Sequence, residues 1–110
     1  MNPFNYAQSL TFDEQLTLVS ETFTEVPPGV HERTETETVV FCVKRYVSAH
    51  EFYKAREAGI NPTVYFHVHA FEYGGEKLVR YNGEDFAVVR VDGSMDGTIR
   101  LYCEKVISRG

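Results

Sequence analysis

Only one stretch of this chain is written as a helix, and it interrupts a sequence that otherwise reads as strands. Ser48 followed by Glu51 forms a capping box, in which the Ser hydroxyl accepts from the Glu51 amide and the Glu carboxylate accepts from the Ser48 amide. Val47 before the cap and Phe52 at the fifth position make the matching hydrophobic staple. Gly59 supplies a left-handed residue at the far end, and Pro62 forbids continuation. The helix spans about three turns and carries a narrow apolar stripe. Such a helix lies on a sheet and does not join a bundle.

Around it the periodicity is that of strands. Leu10 to Val26 carries Leu16 and Leu18 on one phase and Val19 and Phe23 on the other, a strand with a phase slip near Leu18. Pro27, Pro28 and Gly29 break it, and residues 27–38 read as a polar, acidic loop. Val39 to Val47 is almost continuously apolar or aromatic and too β-branched for a comfortable helix. From Thr63 onward the pattern reads as a meander: 63–73, 76–81, 85–91 and 98–106, with turns at Gly74 and Gly75, at 92–97, and at the strong hairpin signal Asn82-Gly83. The expected fold is mainly β, a small antiparallel β-barrel of about six strands with one inserted short α-helix. One domain over residues 1–110 is expected, with a flexible arm at 1–9, the inserted helix and linker at 48–62, and a tail at 107–110.

Composition excludes several classes. Phe (8) and Tyr (7) are too numerous for a disordered chain, and no stretch approaches the ~20 apolar residues of a membrane span. The start has no basic patch followed by an apolar run, so no secretory signal is expected. Two cysteines, Cys42 and Cys103, are too few for a disulfide scaffold and suit a reducing cytosol. The formal net charge is −5, and it is uneven: residues 1–38 hold seven acids and Arg33, whereas 39–110 hold nine acids and ten bases. With no basic stripe, a conventional DNA-binding module is not expected.

Side chains that carry chemistry are sparse. His67 and His69 sit two apart on a strand and face one side, which suits a shared ion only if a third ligand joins them. His31, His50 and Glu72 are the candidates for that ligand, and none has a recognisable spacing. Ordinary side chains among aromatic neighbours are the plainer reading. Cys42 and Cys103 read as buried thiols acting as small hydrophobes. No glycine-rich phosphate loop and no nucleophile–base pair stands out, so no catalytic residue, metal or cofactor is expected. The inserted helix exposes His50, Tyr53, Lys54, Arg56 and Glu57, and Tyr and Arg are enriched at interfaces.

The run Val47 to Pro62, with Ser48, Glu51, Phe52, Tyr53 and Ala55 at the matching positions, resembles a hallmark of tailed-phage head closure proteins, also called head–tail adaptor or stopper proteins. In that family a V-S-x-x-E-[FY]-[FY]-x-A helix is followed by a Gly- or Pro-containing link, an alternating aromatic strand, and a GE-x-x-V-x-Y-x-G-x-x-[FY]-x-V hairpin. Here the hairpin is carried by Gly75, Glu76, Val79, Tyr81, Gly83, Phe86 and Val88. The resemblance covers about residues 39–106 in order. It implies a β-barrel subunit that assembles into a homo-oligomeric ring at the virion neck, after assembly in the host cytoplasm. Its implied partners are copies of itself, a portal-bound adaptor and a tail completion protein, with packaged double-stranded DNA passing through and no membrane contact. The segment implied to face the channel or partners comprises Ser48, His50, Glu51, Phe52, Tyr53, Lys54, Arg56 and Asn61. Glu32, Arg33, Glu35 and Glu37 of the acidic loop are candidates for the contact between subunits.

Two other classes fit the composition. A small barrel that binds single-stranded nucleic acid, or a protein, needs basic and aromatic residues on one sheet face. Tyr65, His67, His69, Phe71 and Arg80 are its best candidates. A metal-dependent small-barrel enzyme would use His67 and His69.

Overall fold

The computed structural model describes residues 11–93 and 96–107. The arm expected at 1–9 and most of the tail expected at 107–110 lie outside the described residues. The chain forms β1 (Glu14–Val26), β2 (Val30–Tyr46), α1 (Ala49–Glu57), β3 (Val64–His69), a 3-10 turn (Ala70–Glu72), β4 (Leu78–Tyr81), β5 (Glu84–Gly93) and β6 (Thr98–Lys105). The strands close into a barrel in the order β1-β2-β3-β6-β5-β4. Every neighbouring pair is antiparallel. The mainly β barrel with one inserted helix is the architecture expected from the periodicity.

Alternation builds the core. Leu16 and Leu18 of β1, Val40 and Cys42 of β2, Val64, Phe66 and Val68 of β3, and Leu101 and Cys103 of β6 all point inward and are buried. Phe66 lies at the centre with its ring 5.3 Å from that of Tyr81 and 5.7 Å from that of Phe86. The hairpin between β4 and β5 turns at Asn82 (φ 51°) and Gly83 (φ 79°). Two successive positive φ values are what a type I′ turn requires, and Asn-Gly meets them at little steric cost.

Four expectations need correction. Residues 30–38 are not a loop: only 27–29 turn, and β2 begins at Val30. Thr34, Thr36 and Thr38 prefer extended backbone because their β-branched side chains are stiff, and Gly29 (φ 91°) lets the chain reverse. No phase slip occurs in β1, because its register with β2 runs unbroken from Glu14↔Cys42 to Val26↔Val30. Val19 simply lies on the opposite face from Leu18, where it is buried beside Leu78, its β4 partner. The register irregularity falls instead in β5, between Val88 and Arg90.

Finally, β3 stops at His69 and does not continue to Tyr73. Its neighbours are β2 and β6, whereas β4 pairs with β1 and β5. The chain must therefore leave β3 and cross to the other side of the barrel, so 63–81 is not a meander; only β4-β5-β6 is.

Beyond the barrel, β1 and β2 continue together as a two-stranded ribbon. β4 covers β1 only at Thr17, Leu18 and Val19, and β3 covers β2 only from Val43 to Tyr46. Seven rungs, from Ser20↔Thr36 to Val26↔Val30, lie past the β4 contact. At about 3.3 Å per residue that is a projection of roughly 23 Å. The molecule accordingly measures 66 × 29 × 26 Å. Truncating Phe66 to Ala removes the ring on which two aromatic neighbours pack, and is expected to cost about 3–5 kcal/mol of stability. Urea denaturation at constant pH checks this.

Candidate functional site

The inserted segment is a closed excursion from the barrel. The Val47 amide donates to the Thr63 carbonyl (3.0 Å), joining the end of β2 to the start of β3, and the Thr63 amide donates to the Cys103 carbonyl of β6 (3.1 Å). Between these points α1 is capped at both ends. The Glu51 amide donates to Ser48 Oγ at 3.2 Å, and the Ser48 amide donates to Glu51 Oε1 at 3.4 Å. At the other end the Ile60 amide donates to the Ala55 carbonyl and the Gly59 amide to that of Arg56, with Gly59 at φ 82°. That pair of bonds is a Schellman motif.

Two polar ties fix the excursion to the outer face of β6. The Tyr102 hydroxyl donates to Glu51 Oε2 at 3.0 Å, and the Asn61 amide donates to the Glu104 carboxylate at 2.9 Å. Burial pushes the Glu51 carboxyl up, but the hydrogen bonds from Tyr102 and Ser48 outweigh it and hold the group below the usual carboxylate range. Glu51 thus caps the helix and moors it to the barrel at once. Arg100, whose guanidinium lies 5.3 Å from the Tyr65 ring, also reaches the Tyr102 hydroxyl at 3.4 Å.

The eight candidate residues of this segment therefore divide. Ser48, Glu51 and Asn61 hold the backbone in place. Phe52 is half-buried under the Arg56 guanidinium, 5.9 Å from its ring centre. His50, Tyr53, Lys54 and Arg56 are exposed. A groove of about 250 Å³ on one flank of α1 is charged, lined by His50, Lys54, Arg90, Asp92 and Arg100 among others. A groove of about 450 Å³ on the other flank is mainly apolar, lined by Tyr46, Val47, Ala49, Phe52, Tyr53, Pro62 and Thr63.

The second candidate group lies on the ribbon. Cross-strand register puts Glu21, Phe23 and Glu25 on one face with His31, Arg33 and Glu35, and Ser20, Thr22 and Thr24 on the other with Glu32, Thr34 and Thr36. Glu32 is thus separated from Arg33, Glu35 and Glu37, which share a face. Arg33 bridges Glu21 and Glu35, relieving two like charges that stand directly opposite. Arg80 of β4 extends the network to Glu37 (2.6 Å), Asp85 (2.9 Å) and Glu35 (3.5 Å).

That network also removes Arg80 from the expected nucleic-acid platform. It lies on β4 among carboxylates, whereas Tyr65, His67 and His69 are on β3. His67 is buried beside Tyr65, and His69 stacks on Phe12 with ring centres 4.4 Å apart. Among the described residues no group of three or more His, Cys, Asp or Glu is placed to hold a metal ion. Burial pushes both thiols, Cys42 and Cys103, up to about 12, so neither supplies a thiolate at neutral pH. Among the described residues no helix is long and apolar enough to cross a membrane.

The partners of Glu51 and Glu37 were not readable from local spacing. Tyr102 and Arg80 alternate with core residues, a pattern that marks them only as outward-facing. Exposed Phe23 and Tyr46 were also missed as surface features, because their neighbours read as strand interior. No family model and no curated protein matches this chain.

Two expected outcomes follow from this geometry. Ser48→Ala removes the cap and should lower stability by about 1 kcal/mol, measured by urea denaturation. His67 Nδ1 has no hydrogen-bond partner, and burial, followed by the nearby Arg100 and Arg45, pulls its imidazole below the ordinary value. The unfolded chain therefore takes up the proton first. Stability is intact above about pH 6.5 and falls as the pH drops through the lower folded value. His67→Phe should show a smaller loss of urea midpoint between pH 7.5 and pH 5.5 than the parent chain.

Proposed function

We propose that this chain is a structural neck protein of a tailed phage or prophage, one subunit of a ring between the portal-bound adaptor and the tail. In this role it retains packaged DNA and offers the tail a docking surface. The observation that carries the reading is the closed barrel whose inserted helix is a capped excursion between β2 and β3, with the resembling residues on the expected elements in the expected order. Glu51, the acid of the helix signature, is the residue that fastens the excursion to the barrel, and Tyr53, Lys54 and Arg56 are left outward for contacts.

The electrostatics support the same reading. Most of the acidic excess lies in the ribbon and the residues before it. A ring that DNA must leave quickly gains from that balance, since strong phosphate neutralisation would oppose ejection. In this reading the protein turns over no substrate and works by shape, through many weak copies acting together. The rival reading, a small-barrel binding module for single strands, loses support from the burial of His67 and the engagement of Arg80 with three carboxylates.

Deletion of the gene from its phage or prophage should yield particles that package DNA, lose it and remain tailless, with rescue by the full chain supplied in trans. Electron microscopy and packaged-DNA assays read the outcome. Normal, tailed, infectious particles without the protein would overturn the proposal.

A further inference from the structure

The ribbon and the apolar groove beside α1 have complementary characters, and no ribbon residue lines the groove of its own chain. The ribbon projects an aromatic side chain, Phe23, that is 65% exposed. It stands among acids: residues 20–36 contain four glutamates and Arg33, a net of −3. Glu21 and Glu25 flank Phe23 on its own face, with Arg33 directly across. A two-stranded ribbon of this kind is marginal in water by itself, and both of its outer edges present backbone groups beyond the reach of β3 and β4.

The groove offers the opposite. Its walls include Tyr46, Phe52, Tyr53 and Pro62, and Tyr46 and Tyr53 are 75% and 66% exposed. Two cations touch side chains of these walls. Lys44 Nζ lies 3.3 Å from the Tyr46 hydroxyl, and Arg56 covers the Phe52 ring. Neither cation is among the residues that form the ion pairs of the described chain. The groove, about 450 Å³, is shallow and open, and an aromatic ring can lie along its walls. An aromatic side chain against apolar walls, with opposite charges nearby, concentrates binding energy and sets the register of docking.

We infer that the β1–β2 ribbon of one copy docks in the groove beside α1 of a second copy, with Phe23 as the anchor and the ribbon glutamates against Lys44 and Arg56. Ribbon and groove are different surfaces, so the contact is head-to-tail, and each subunit can give one ribbon and receive another. Such a contact generates a ring where the rotation closes. The inference rests on the ring reading for that closure and supplies the contact the ring needs.

The test uses the full chain at up to about 1 mM in low salt, followed by sedimentation equilibrium. Concentration-dependent association is expected, weakened in 0.5 M salt because these charges are screened. Phe23→Ser, which spoils the ribbon, and Tyr53→Ser, which spoils the groove, should each weaken association at least tenfold. Both are surface changes, and unchanged circular dichroism and melting show that the variants remain folded. An equimolar mixture of the two should form a dimer and stop there, since the intact ribbon of one enters the intact groove of the other and leaves only spoiled ends. A parent chain that stays monomeric at 1 mM, variants that associate like the parent, or a mixture that stays monomeric would each overturn the inference. Charge variants Glu25→Lys and Arg56→Glu give a second route, and association unaffected by both would also overturn it. The particle assay is independent: tailless particles with no ribbon–groove contact sink this inference alone, and normal particles sink the neck reading.

Discussion

Three rungs between β1 and β4 hold the architecture together. Thr17↔Arg80, Leu18↔Val79 and Val19↔Leu78 are the whole of the contact that turns a six-stranded sheet into a closed barrel. Closure removes free edges inside the barrel and brings Leu18 and Val79 into the same core as Phe66 and Leu101. It also decides where the ribbon begins. Because β4 is only four residues long, it can cover only a short part of β1, and the strands beyond that point have no third partner to bend toward. The core and the projection are two results of one short strand.

The barrel was legible in the sequence because burial imposes a period of two on each strand. Leu16, Leu18, Val40, Cys42, Val64, Phe66, Leu101 and Cys103 all keep that phase. The helix was legible because its signals are local: Ser48 and Glu51 cap one end, and Gly59 and Pro62 close the other. The ribbon was not legible. With nothing to bury on either face, residues 30–38 carry no hydrophobic alternation, and a run of Thr and Glu after Pro-Pro-Gly resembles a loop. Strand order was hidden for a related reason. Alternation shows which residues face inward but not which strand lies alongside, so the pairing of β3 with β6 had no signature. The candidate contacts at Tyr53, Lys54 and Arg56 were visible as exposed positions on the helix, while the mooring of Glu51 by Tyr102 needed the tertiary structure.

The outer face of β6 shows how a small chain positions an inserted element without a second core. α1 buries one side chain, Ala55, fully, too little apolar area to fix a helix by packing. Hydrogen bonds take over: Tyr102 to Glu51, and Asn61 to Glu104. Charge-assisted bonds of this kind are directional, so they set the angle of the helix as well as its attachment. The grooves on its two flanks, one charged and one apolar, follow from that fixed angle.

The ribbon has a modular length. Its rungs alternate between a Thr-rich face and a face of acids with Phe23 and Arg33, and neither face packs on the core. Deleting or adding two residues in each strand would shorten or lengthen the projection by about 7 Å and leave every remaining side chain on its original face. Changing each strand by one residue between the barrel and Phe23 would instead carry Phe23 to the opposite side. The reach of the projection can therefore be retuned in even steps while the barrel that carries it stays untouched.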